Sequence, residues 1–198
     1  MRSSLARPDL APAHASLERA ERSVAELLRA LGQDPDEERL RGTPARVANA
    51  LSQALRRPEL PEVAFLENEG SRELIAIEGI PFQSLCEHHL LPFRGTVDIG
   101  YLPDGRIVGV SLPVRVVDHF SGGLQLQERM TEEIADWLAD RLPARGVGVV
   151  VRAEHFCMSF RGIGDRSTTL RTSAFRGELT SLETDPPRRG EAPCPPES

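Results

Sequence analysis

Residues 95–111 read GTVDIGYLPDGRIVGVS, and the fold class turns on that stretch. Two apolar-rich segments, 95–102 and 106–111, flank Pro103-Asp104-Gly105. Proline presets φ at the first corner of a tight turn, and glycine accepts the positive φ that other residues resist. The stretch therefore predicts a β-hairpin. Downstream, residues 113–120 and 126–142 read as helices, the second with Met130, Ile134, Trp137 and Leu138 on one face. Residues 143–146 stop that helix. Residues 148–153 predict a valine-rich strand that delivers Glu154, His155 and Cys157, and 168–175 a last strand after a turn at 162–165. Upstream, residues 73–78 carry Leu74, Ile75, Ala76 and Ile77 and read as a further strand. A hairpin, two helices and a second hairpin suit an antiparallel sheet with two helices on one face, an α+β architecture.

Helices precede this core. Over residues 16–31, Leu17, Ala20, Val24, Leu27, Leu28 and Leu31 recur at helical spacing, and Gly32 closes the run. Thr43-Pro44 predicts a second helix start, with Thr43 as N-cap and Pro44 in the first turn. Val47, Ala50, Leu51 and Leu55 give that helix an apolar face. Residues 58–70 read as a connector. The expected layout is a disordered head (1–14), a helical region with its connector (15–70), the α+β core (71–180) and a disordered, proline-rich tail (184–198).

Composition narrows the function classes. The 198 residues carry 24 Lys and Arg against 30 Asp and Glu, a formal net charge of −6, which disfavours a nucleic-acid partner. It does not disfavour a small phosphorylated ligand in a local basic pocket. No apolar run approaches the roughly 18 residues a membrane span needs, and the first residues lack a signal peptide's apolar region. A cytoplasmic protein without a membrane partner is expected. Three cysteines are too few and too scattered for a disulfide framework, and in a reducing compartment they more often serve metals, catalysis or packing.

The densest chemical signal is Cys86-Glu87-His88-His89. A Cys and a His with two residues between them can face one ion where the chain turns. Cys157, just past a predicted strand, adds a second thiolate. Thiolate and imidazole are ligands that Zn²⁺ favours, and three protein ligands leave one position open, the catalytic pattern. His88 and His155 stand beside this set as candidate acids or bases. The competing reading makes one of these histidines a fourth, structural ligand. His119 reads as a packing residue on its helix, while His14 and Cys194 lie in the expected disordered ends.

The motifs, taken in order, resemble the GTP cyclohydrolase I family. Cys86-Glu87-His88-His89-Leu90-Leu91-Pro92-Phe93 resembles its CEHHLLPF signature, and Leu126-Gln127-Glu128-Arg129-Met130-Thr131 its VQERLT. Ala153-Glu154-His155-Phe156-Cys157-Met158 with Arg161-Gly162 is similar to its AEHxCM…RG stretch, and Thr43-Pro44-Ala45-Arg46-Val47-Ala48 to TPxRVA. The resemblance implies a tunnelling fold assembled as pentamers that pair into decamers, with active sites between subunits. It implies Zn²⁺ held by Cys86, His89 and Cys157, with His88 and His155 transferring protons. Glu128 would anchor guanine with Gln127 beside it, and Ser111, Arg115, Arg161 and Arg46 would lie near ribose or phosphates. The implied reaction is hydrolysis of the guanine imidazole ring at C8 with formate release, taking GTP to 7,8-dihydroneopterin triphosphate.

The chain departs from the family pattern at one end of that substrate. The family's SK-x-x-R reads Ser111-Leu112-Pro113-Val114-Arg115 here, so Leu112 replaces a triphosphate-binding lysine. Gly122, Gly123 and Gly164 stand where the family often has charged or polar residues. Arg166 and Arg171 are candidate substitutes. Two alternatives follow: a paralogue acting on a less phosphorylated or modified guanine compound, or stopping at the ring-opened pyrimidine; and, from another class, a non-catalytic zinc-containing binding or regulatory protein.

Overall fold

The computed structural model describes residues 14–68, 70, 72–160 and 168–182. The chain divides into two units, Met1–Arg57 and Pro58–Ser198. In the first, α1 spans His14–Ala30 and α2 spans Thr43–Ala54. Gly32 ends the α1 segment at φ 78°, with Gly32 N–H donating to Arg29 O and Gln33 N–H to Leu28 O. These paired bonds satisfy carbonyls that a helix end otherwise leaves open. At α2 the cap position is Gly42, not Thr43, and no side chain caps it. The Thr43 hydroxyl instead accepts a hydrogen bond from Arg46 Nη2 at 3.0 Å.

The second unit is a mixed helix and antiparallel-sheet structure. Its elements are β1 (Phe65–Glu67), β2 (Ile75–Cys86), β3 (Pro92–Pro103), β4 (Arg106–Val108), α3 (Ser111–Ser121), β5 (Leu124–Gln125), α4 (Gln127–Arg141), β6 (Ala144–His155), α5 (Phe156–Ser159) and β7 (Leu170–Gly177). The main sheet runs β5-β2-β3-β6-β7, antiparallel except for the β2–β5 pair, and β1 with β4 forms a separate two-stranded sheet.

The hairpin expected between 95–102 and 106–111 does not form as such. The turn is present, with Gly105 at φ 77°, but only an isolated Asp104–Arg106 bridge survives of the pairing. Both edges of β3 are already occupied, by β2 and by β6. A central strand has no free edge to offer, so β4 pairs instead with β1, Phe65 opposite Val108. β1 comes from the expected connector. The two long hairpins are β2–β3 and β6–β7, and both are longer than their apolar runs suggested.

One sheet face carries Ile80, Phe82, Phe93, Val97, Ile99, Tyr101, Val147, Val149, Val151 and Ala153, all buried with the core residues of the two helices. From α3 come Val116, Val117 and Phe120, and from α4 Met130, Ile134, Ala135 and Leu138. Each fully buried large apolar side chain contributes about 1.5–3 kcal/mol by transfer from water. Trp137, expected on the core face, is only partly buried. A bulge between Ile77 and Ile80 shifts the alternation of β2 from odd to even positions. Gly79 makes it possible at φ 69°, and its N–H donates to Asp98 Oδ1 at 2.7 Å. On the opposite face Asp98 also pairs with Arg152, and both side chains are largely buried.

This topology sets the site. β2 ends at Cys86 and β6 ends at His155, and between them β3 starts at Pro92. Register places Phe93 opposite both Ser84 and His155, so the three strand ends meet at one edge of the sheet.

Candidate metal and proton-transfer site

Cys86 is the last residue of β2 and is buried. The chain then reverses tightly: Cys86 O accepts the N–H groups of His89 at 3.2 Å and Leu90 at 2.9 Å, and Cys86 N–H donates to Leu91 O. Leu90 takes φ 56°, a left-handed conformation that a leucine adopts only when its surroundings compel it. The reversal folds His89 back over Cys86, with Nδ1 3.6 Å from Sγ. Cys157 arrives from α5, directly after β6. One ligand atom from each of Cys86, His89 and Cys157 lies within 4.8 Å of the others. A thiolate about 2.3 Å and an imidazole about 2.0 Å from a tetrahedral zinc stand roughly 3.5 Å apart, close to the Cys86–His89 spacing. The donor set therefore fits a zinc-sized ion, and a soft metal of this type is what these three residues could hold.

His155 lies beside this set. Its ring stacks on Phe93, with centroids 4.7 Å apart and planes 6° from parallel. Its Nε2 is 2.9 Å from Gln127 Oε1. The direction of that bond follows from the partners of Gln127. Gln127 Nε2 reaches Val151 O at 3.2 Å, Leu170 O at 3.0 Å and Thr172 Oγ1 at 3.1 Å. Carbonyl oxygens only accept, so the amide nitrogen faces them and the amide oxygen faces His155. Thr131 donates to Gln127 O at 2.7 Å, so Thr172 donates to Thr131 across their 2.6 Å contact. Neutral His155 then carries its proton on Nε2 and keeps Nδ1 as an acceptor. Burial lowers the His155 pKa below its usual 6.5, opposed by the nearby negative charge of Glu128.

Gln127, expected beside guanine, is thus 1% exposed with its amide engaged by the protein. Glu128, the next residue, is exposed and lines a shallow groove between α4 and β7, together with Thr131, Glu132 and Thr172. His88 is exposed in the turn after β2, its ring edge-on to His89 at 6.1 Å. Ser111 and Arg115 are exposed on α3. Arg46 belongs to the other unit, on α2. Arg161, Gly164 and Arg166 lie outside the described residues, and Arg171 is exposed on β7. Leu112 is 6% exposed and belongs to the apolar core. Gly123 takes φ 82° in the link from α3 to β5, a conformation that an arginine would hold only under strain.

Sequence reasoning did not single out Glu87, Gln125, Thr131 or Thr172. Their partners lie up to 45 residues away, as in the Gln127–Thr172 bond, so no local pattern marks them.

A family model described as GTP cyclohydrolase I matches residues 20–191. Proteins called GTP cyclohydrolase 1 are similar over most of their length. That of Dehalococcoides mccartyi is 46% identical over 174 residues, 85% of this chain and 90% of the relative. That of Mycobacterium leprae is 44% identical over 180 residues, 88% and 86%. That of Aquifex aeolicus is 46% identical over 160 residues, 81% and 87%. With a family model over most of its length and such relatives, this chain belongs to the GTP cyclohydrolase I family.

Proposed function

We propose that this protein is a zinc-dependent hydrolase that opens the imidazole ring of GTP at C8, releases formate and forms 7,8-dihydroneopterin triphosphate. The observation that carries the reading is the convergence of Cys86, His89 and Cys157 beside a histidine that is not needed as a ligand. A purely structural zinc site uses four protein ligands and has no use for a spare, half-buried, hydrogen-bonded imidazole. The same reading makes the sheet and its two helices a tunnelling fold, assembled as pentamers pairing into decamers with sites between subunits, in the cytoplasm. No helix among the described residues is long and apolar enough to cross a membrane.

Cys86, His89 and Cys157 hold the ion. When bound, it supplies Lewis acidity that brings the pKa of a water into the neutral range. Neutral His155 accepts a proton at Nδ1 as water adds to C8 and returns it to a ring nitrogen as the first C8–N bond breaks, leaving a formamide. A second water adds to that carbon, the second C–N bond breaks and formate leaves. The ribose carbons then rearrange and reclose on the freed amine with loss of water. Gln127 and the Phe93 ring hold that imidazole in place throughout. His88 serves as the second proton-transfer group on the open side. Glu128 accepts two hydrogen bonds from the N1–H and 2-amino edge of guanine. Ser111, Arg115, Arg161 and Arg46 bind ribose and phosphates.

Leu112 favours a second reading. Its side chain packs in the core and offers nothing to an anion, where a lysine would supply charge-assisted contacts. A guanine compound with fewer phosphates suits that arrangement. One experiment covers both: zinc-loaded protein mixed with GTP, GMP, guanosine and 8-oxoguanosine, followed by formate release and ultraviolet absorbance. GTP is expected to be turned over best. A preference for GMP or guanosine would install the second reading, an absorbance change without formate would mark ring opening alone, and neither formate nor an absorbance change from any of them would reject the hydrolase.

A further inference from the structure

Glu87 sits between the metal ligand Cys86 and the exposed His88, yet it does not face open water. Its carboxylate accepts a hydrogen bond from Arg129 Nη2 at 2.6 Å, and the two side chains are only 26% and 32% exposed. Arg129 is not a loose surface cation. Its Nε donates to Gln125 Oε1 at 2.8 Å, and Nη2 also approaches Leu124 O at 3.4 Å. Gln125 is 0% exposed. Its amide nitrogen donates to Phe120 O at 3.0 Å and Glu133 Oε2 at 2.9 Å, while its oxygen also accepts the Leu126 N–H at 3.1 Å. The backbone joins in, since Glu87 N–H donates to Gln125 O at 3.1 Å and Cys86 pairs with Gln125 in the parallel β2–β5 contact.

The metal-bearing turn is therefore held at Glu87 by a guanidinium that is itself fixed by a buried amide. Arg129 follows Gln127 and Glu128 on the first turn of α4. One helix turn thus carries the partner of His155, the exposed carboxylate at the groove and the clamp on the Cys86–His89 turn. A planar guanidinium suits this post because it donates in two directions at once, to a carboxylate and to an amide oxygen. A lysine can reach one of these partners and not both.

We propose that Arg129 is a positioning residue for the metal site. Through Glu87 and Gln125 it locks the Cys86–His89 turn to the helix that carries Gln127 and Glu128, so that metal and base recognition keep a fixed separation. This rests on the metal-site reading above, and it concerns the rigidity of the turn rather than the identity of the ligands. Partners that orient metal ligands typically change metal affinity by about 10–100-fold when removed.

The test measures metal binding on the full chain with Arg129→Gln, Arg129→Lys, Glu87→Gln and the Glu87→Gln/Arg129→Gln double variant. Zinc affinity is read by chelator competition, and the Co²⁺ form by its thiolate charge-transfer and d–d absorption. Each single variant is expected to bind zinc about 10–100-fold more weakly and to shift the Co²⁺ d–d bands. The double variant is expected to be no weaker than the singles, because both remove one contact. Arg129→Lys is expected to fall between wild type and Arg129→Gln. Wild-type zinc affinity and an unchanged Co²⁺ spectrum in a folded Arg129→Gln protein would overturn the proposal, as would full additivity of the two singles. If Arg129→Gln does not fold, Glu87→Gln decides by the same readouts. Failure of the wild-type chain to bind one zinc per subunit would instead reject the metal-site reading itself.

Discussion

At the candidate metal end, Cys86 and His155 close strands and Gln127 opens α4, and although His89 is exposed, Cys86 and Gln127 are buried and backbone hydrogen bonds fix the turn. At the expected phosphate end, Ser111 and Arg115 are exposed on α3, Leu112 turns into the core, and Arg46 belongs to a different unit. The difference is one of preorganisation. Groups that must hold an ion and move a proton within tenths of an ångström gain from supports locked by packing. Groups that gather a flexible, highly charged chain act largely through charge, which tolerates exposed and mobile side chains. The candidate metal and proton-transfer residues gather at one sheet edge, whereas the residues proposed for the anion lie at scattered positions.

The comparison breaks most sharply if the metal end proves dispensable. Cys157→Ser removes one of three ligands and is expected to lower zinc affinity by more than the ~10²-fold typical of outer partners, with formate release at background. Zinc content per subunit and a formate assay check it. Retention of both would mean that the three residues do not form the metal site.

His155→Ala is expected to keep zinc and lose about 10²–10⁴-fold in kcat, the usual worth of a positioned acid or base. Gln127→Leu keeps the ring but removes its Oε1 partner and the amide donor to the Val151 and Leu170 carbonyls. A smaller fall in kcat is expected, with a stability loss of about 1–3 kcal/mol for each buried group left unpaired. Stopped-flow turnover and thermal melting separate the two variants. Equal kcat in His155→Ala and wild type would move proton transfer elsewhere.

The phosphate end is expected to respond in KM. Arg115→Ala removes a contact to a charged group worth about 1.5–3 kcal/mol, or roughly 10–100-fold in KM for GTP, with kcat nearly unchanged. Guanosine, which has no phosphate, should show no such effect. The same penalty on both substrates would place Arg115 away from the phosphates.

The contrast also explains what was legible. Cys86, His88, His89 and Cys157 stand out because their residue types are rare and their spacing matches a turn and a strand end. The apolar face of α4 was readable because Met130, Ile134 and Leu138 repeat at helical period and end fully buried. Strand pairing was not readable in the same way. The Pro103-Asp104-Gly105 turn announces a reversal but cannot say that β3 will be taken on both sides, leaving β4 to find β1. The resemblance alone sets Gln127 beside Glu128 at the guanine, and no local pattern says which way either side chain points. The helix turn points the two side chains differently, one under His155 and one into the groove. Leu112 was visible only as a missing lysine, and its burial is a three-dimensional fact.

The smallest effect concerns pH and joins the two ends through Glu128. Burial lowers the His155 pKa, so the folded protein holds its ring neutral at pH values where the unfolded chain begins to protonate near 6.5. Between the folded value and 6.5 the unfolded state binds more protons, so stability rises with pH across that window and is lost as pH falls through it. Catalysis that uses the neutral ring should follow the same direction, with the acid limb of kcat below 6.5. A bound cation acts the same way, since positive charge disfavours the imidazolium. Glu128 acts oppositely, raising the His155 pKa by its charge. Glu128→Gln should therefore move the acid limb further down, and only slightly, because an exposed carboxylate is well screened. A pH–rate profile on the slowest-turned-over substrate, where chemistry limits kcat, provides the measurement. An acid limb above 6.5, or one that rises in Glu128→Gln, would mean that a group other than His155 takes the proton, and the half-buried imidazole would then serve only in packing against Phe93 and Gln127.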